Sequence, residues 1–184
     1  MNLFSYEYYR ANFKQVAFVL LCLMAASMIF DVLPFILVFV FCIANALFMT
    51  YERFITVPLD FELSTFTTTI MTLRFGLMWG IITGVGTKMA QVLYNKDFNI
   101  NSAFSIIQYI LIAFIVNFVS GFSVSIIIIG MIGVILGGIF GFLMLKYVNM
   151  LSNYECFSYF ISNIVFNFAM FVGFAEIIFR LLSL

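Results

Sequence analysis

The chain has 184 residues, of which 65% are hydrophobic and only 9% charged, with a formal net charge of zero and no histidine. A soluble domain carries about 25% charged residues, so the composition argues against one, and the neutral balance offers nothing to nucleic acid. The lack of histidine removes the usual proton shuttle at neutral pH and the commonest metal ligand, while a mean hydropathy of +1.20 points to membrane lipid as the surroundings.

The apolar runs are continuous rather than alternating, which favours transmembrane helices over a β-barrel. The expected fold is all-α: a polytopic transmembrane helix bundle of six or seven spans, one integral membrane domain over 1–184 with no soluble domain. Residues 1–14, "MNLFSYEYYRANFK", read as an interfacial lead-in, with tyrosines at headgroup level and Arg10 and Lys14 on the cytoplasmic side. A first span follows at 15–30, read as uncleaved despite a faint likeness to a secretory signal. Asp31 and Pro34 make a tight turn before the second span, 35–50. The segment 51–64, "YERFITVPLDFELS", is the most polar in the chain and reads as a surface loop carrying Glu52, Arg53, Pro58, Asp60 and Glu62.

Residues 64–95 are too long for one crossing. A single helix would measure about 48 Å against about 30 Å of hydrocarbon. The alternatives are one tilted span, with Arg74 and Lys88 reaching opposite interfaces, or two shorter spans at 64–77 and 79–95 that meet near Gly76 and Gly80. Further spans are expected at 103–119, 124–145 and 158–182, separated by the polar loop 94–102 and by 146–157. Two spans in 64–95 would gather Arg10, Lys14, Arg53, Lys88, Lys96 and Lys146 on one side, against Arg74 and Arg180. That is the more lopsided distribution of basic residues, so the positive-inside tendency leans toward seven segments.

Few residues are suited to chemistry. Cys22, Cys42 and Cys156 lie far apart and read as small buried apolar residues rather than a metal cluster. No phosphate-cradling glycine loop followed by Lys-Ser or Lys-Thr is present, so any energy-driven step would draw on a partner chain. No catalytic residue, metal site or cofactor is expected. Gly76, Gly80 and Gly84, and again Gly133, Gly137 and Gly141, recur every four residues. Such rows line one helix face and permit close backbone approach, either to a neighbouring helix of the same chain or to a partner subunit. Asn45, Gln108, Asn117, Asn163 and Asn167 fall within spans, where an amide serves an interhelical hydrogen bond or a ligand. Glu176 and Arg180 are four apart near the end of the last span and can pair with each other. The threonine-rich "STFTTTIMT", 64–72, can either bond back to its own helix carbonyls or line a polar cavity.

The run "VPLDFELSTFTTTIMTLRFGLMWGIITGVGTKMAQVLY", 57–94, resembles the substrate-binding (S) components of energy-coupling-factor vitamin transporters. In those proteins a loop starting Val/Ile-Pro leads into a short second helix that ends in a glycine turn, and a glycine four residues on opens the third helix. Val57-Pro58, Ser64 to Leu73, and Gly76 with Gly80 match that order. The same pattern is similar to the rod-shape-determining membrane proteins, which bind other proteins. The resemblance implies a non-enzymatic, multi-pass protein of the cytoplasmic membrane acting with partner membrane subunits. One form of it is the small-nutrient binding subunit of an ATP-driven importer, with a small-molecule ligand held by Asp60, Glu62, Thr68, Arg74, Asn163 and Asn167. The other is a structural or assembly subunit of a membrane complex that docks partners on its glycine faces.

Overall fold

The computed structural model describes residues 32–50, 59–96 and 98–182; the interfacial lead-in, the span expected at 15–30 and the Val57-Pro58 pair lie outside them. The chain divides into two compact units, 1–37 and 38–184. The boundary falls inside helix α1 (Leu33–Phe48), and the second unit holds the remaining elements: α2 (Ser64–Phe75), α3 (Leu77–Asn95), α4 (Ile100–Val119), α5 (Ile126–Tyr147) and α6 (Asn153–Met170). A π-helical turn, Phe171–Ala175, continues α6 into the short α7 (Glu176–Leu181). The described residues are helical and contain no strand.

Local chemistry sets the helix ends. Pro34 occupies the first turn of α1, where its missing N–H costs nothing. Asn99 and Ser125 cap α4 and α5 by accepting from the backbone N–H three residues on. Ser152 and Glu155 form a reciprocal capping box at the start of α6. Between α2 and α3 the chain breaks at one residue, Gly76, whose φ of 92° is open to glycine at little cost. The break is narrower than the Gly76–Gly80 turn expected from the sequence, because Gly80 already lies within α3.

Helix α2 is the centre of the unit. Nine of its twelve residues are buried, five of them threonines, so its polar character is not a sign of exposure. Thr67, Thr69 and Thr72 donate to the carbonyls of Leu63, Thr65 and Thr68, which satisfies their hydroxyls within the helix itself. Around α2 pack α3, α4 and α5, with an apolar cluster of Phe66, Ile70, Val134, Phe171 and Ala175 at one side. The Phe66 and Phe171 rings meet at 5.1 Å between centroids, and Gly130 leaves the room that the Phe171 ring fills.

Gly80 and Gly84 of the first row and all three glycines of the second lie against neighbouring helices of the same chain, while Gly76 forms the break. A Cβ on Gly80 would collide with Thr72, and one on Gly84 would stand 2.7 Å from both Thr68 Oγ1 and Tyr109 Cβ. Gly133 and Gly137 lie against Ile112 of α4, and Gly141 lies beneath the amide of Gln108. These contacts are close packing of helices within one chain.

Three helical segments are long and apolar enough to cross a membrane: Ile100–Val119, Ile126–Tyr147 and Asn153–Leu181. Their outward faces carry Phe114, Phe118, Leu136, Phe157 and Val165, all exposed. By contrast α2, at about 18 Å, is shorter than the hydrocarbon layer.

Candidate functional site

The site is built where the end of α1, the loop before α2, the C-terminal half of α3 and the first half of α4 converge. Its centre is Glu62, only 3% exposed. Lys88 of α3 donates to Glu62 Oε2 at 3.1 Å, and the Tyr109 hydroxyl of α4 donates to the same oxygen at 2.6 Å. The Ser64 hydroxyl donates to Glu62 Oε1 at 2.7 Å. Asn45 of α1 ties the loop in place: its Oδ1 accepts from Leu63 N at 2.9 Å, while its Nδ2 donates to Ser64 Oγ and to the Thr87 carbonyl. A buried charge persists only when it is paired and its remaining lone pairs are occupied. Glu62 meets both conditions.

Asp60 sits two residues earlier and joins this cluster to α6. Its backbone N–H donates to Ser162 Oγ at 2.8 Å, and its Oδ2 accepts from Asn163 Nδ2 at 2.9 Å. Burial, and then the neighbouring Glu62 charge, push its carboxyl up to about 6 from the ordinary 3.8, with Lys88 and the Asn163 hydrogen bond pulling the other way. An acid whose folded value lies above its unfolded value binds its proton more readily in the folded protein. Asp60 therefore favours folding most below pH 4, and that contribution is lost as pH rises through 6. The expected result is a melting temperature that climbs by a few degrees between pH 7 and pH 4.5. Replacing Asp60 by asparagine removes that rise; a wild-type profile as flat as the variant's contradicts the assignment.

Beside these carboxylates lies a cavity of about 160 Å³. Asp60, Glu62, Lys88 and Gln91 line it together with Asn101, Ser105, Gln108 and Tyr109 of α4, Phe140, Gly141, Phe142, Met144 and Leu145 of α5, and Tyr159, Phe160 and Asn163 of α6. Several of its polar groups are unsatisfied within the protein: Asn101 Oδ1, Asn149 Nδ2 and Asn163 Oδ1 are buried atoms with no hydrogen-bond partner. Among the described residues no group of His, Cys, Asp and Glu is arranged to hold a metal ion.

Of the six ligand-binding candidates, Asp60, Glu62 and Asn163 come together at this cavity. The other three do not line it. Thr68 is buried against Gly84 in the α2–α3 contact. Asn167 lies one turn further along α6, donating to the Asn163 carbonyl at 3.0 Å. Arg74 is in the last turn of α2, while the cavity adjoins the first; its Nε donates to the Leu182 carbonyl at 2.7 Å. Lys88 departs furthest from expectation. Read as an interfacial charge, it is instead 8% exposed and committed to Glu62, so it has no weight in the positive-inside comparison. Tyr109 and Asn101 are site residues that the sequence does not single out, whereas Asn45 and the 64–72 segment that opens with Ser64 are among the polar candidates it offers. The available signal was a lone lysine amid apolar residues on a helix, a costly placement that implies a buried counter-charge.

Comparison of the chain with protein-family models, with curated proteins and with solved structures finds no match.

Proposed function

We propose that this chain is a multi-pass protein of the cytoplasmic membrane that binds a small polar molecule between its helices and acts with partner subunits. The observation that carries this reading is the cavity with its unsatisfied Asn101, Asn149 and Asn163 atoms. A buried polar group without a partner costs about 1–3 kcal/mol. A purely structural bundle lowers its free energy by filling such a space with apolar side chains, whereas a ligand with matching donors and acceptors offsets the cost directly. The resemblance to transporter S components supports the same reading, since it puts the ligand beneath the loop that supplies Asp60 and Glu62. In this reading α1 to α6 all lie in the bilayer, with α2 held among the other helices, and a partner chain supplies any energy.

Lys96 and Lys146 stand at the ends of α3 and α5 that border the cavity. The positive-inside tendency turns that end toward the cytoplasm, whereas an importer captures its ligand from outside. A cysteine placed at Asn149, probed with an impermeant maleimide in intact cells and in inverted vesicles, separates uptake from binding on the cytoplasmic side.

Purification in mild detergent, followed by mass spectrometry of small molecules and of proteins, tests the reading. A compound of about one ring in size is expected at one per chain, because a cavity near 150 Å³ accommodates benzene. Added at about 100 times its dissociation constant, it stabilises the fold by about 2.7 kcal/mol, and Asn163→Leu reduces its occupancy. A stable protein that retains no small molecule but co-elutes with other membrane subunits refutes ligand binding and supports the assembly role.

A further inference from the structure

We propose that the cavity selects a planar, ring-sized cation that carries N–H donors. This deepens the ligand-binding reading above and rests on it. The first argument is charge. Two carboxylates, Asp60 and Glu62, line the cavity with a single ammonium, Lys88, and that ammonium is bound to Glu62 at 3.1 Å. Among the lining side chains one negative charge is left over, and it belongs to Asp60. Its oxygens accept from Glu62 N at 3.3 Å and from Asn163 Nδ2 at 2.9 Å. A carboxylate has about four acceptor positions, so capacity remains for a donor arriving from the cavity.

The second argument is the orientation of Asn163, which is 4% exposed. An ionised carboxylate only accepts, so the amide must turn its nitrogen to Asp60. Its oxygen then stays unpartnered at the cavity wall. Asn101 Oδ1 is a second buried acceptor without a partner, against one unsatisfied donor, Asn149 Nδ2. The balance favours a ligand that donates. The third argument is aromatic content: Phe104, Phe140, Phe142, Tyr159 and Phe160 are among the residues that line the cavity, and an aromatic face attracts a cation, by about 2 kcal/mol where water is excluded. A flat ring that bears positive charge and edge N–H groups satisfies all three features. An anion could use only the lone donor, Asn149 Nδ2.

The test uses three probes of similar size on the purified full chain: 4-aminopyridine, which is a planar cation at neutral pH, aniline, which is its neutral counterpart, and benzoate. Affinities are read from the shift in melting temperature across a concentration series. The 4-aminopyridinium ion is expected to bind about tenfold more tightly than aniline, the equivalent of one charge-assisted hydrogen bond, with benzoate producing no shift. Asp60→Asn is expected to bring the two amines to similar affinity. If aniline or benzoate binds as well as the cation to the wild-type protein, charge selection is wrong while ligand binding stands. If none of the three binds and no small molecule co-purifies, both readings fall. The wild-type comparison decides by itself if the variant does not fold.

Discussion

Replacing Lys88 by methionine is expected to destabilise the detergent-solubilised protein by about 3 kcal/mol. Removing one member of a buried ion pair strands the other, which typically costs 3–5 kcal/mol. Here the lower end applies, because Tyr109 and Ser64 continue to donate to Glu62 after the ammonium is gone. The companion variant Glu62→Gln/Lys88→Met removes both charges and is expected to recover most of the loss, since a neutral amide can still bond with Ser64 and Tyr109. Denaturant unfolding of the two variants beside the wild type gives the comparison. A single variant as stable as the wild type would show that the pair is not held as described.

The second large effect concerns the α2–α3 contact. Gly80→Leu is expected to cost about 3 kcal/mol, at the upper end of what overpacking a close contact usually costs. A Cβ at that position meets not only the Thr72 side chain but also its backbone, with Cα at 3.2 Å. Rotamer changes cannot relieve a backbone contact, so α3 must move away from α2. Gly173 is the natural control. Nothing lies within 4 Å of a Cβ there, and Gly173→Ala is expected to leave the melt unchanged. Equal melting temperatures for the Gly80 and Gly173 variants would contradict the close approach of the two helices.

These expectations separate what the sequence discloses from what only the fold reveals. The long apolar helices were legible because length and continuity are local properties, and so was the break in 64–95, because one helix there outruns the bilayer. Asp60 and Glu62 read as acids of a surface loop and entered as ligand candidates through the family resemblance; the burial of Glu62 was not legible. The pairing of Lys88 with Glu62 was not legible. The two are 26 positions apart, and the chain reverses at Gly76 between them; nothing near either residue names the other. Arg74 and Lys88 looked alike on paper, as basic residues at the two ends of one overlong segment. The reversal sends them to different fates, one to an exposed helix end and one to the interior. Asn163 and Asn167 likewise share a helix face, yet a separation of about 6 Å along the axis divides cavity wall from helix interior.

The threonine-rich composition of α2 has a consequence for how the protein is made. A helix with a serine, five threonines and an arginine among twelve residues gains little from hydrocarbon by itself. Its internally bonded hydroxyls make burial tolerable without making it favourable. What holds it in place is contact with α3, α4 and α5, and all three leave the ribosome after it. The central helix is thus translated before the walls that enclose it, and its final seat is set by later segments closing around it rather than by its own partition into lipid.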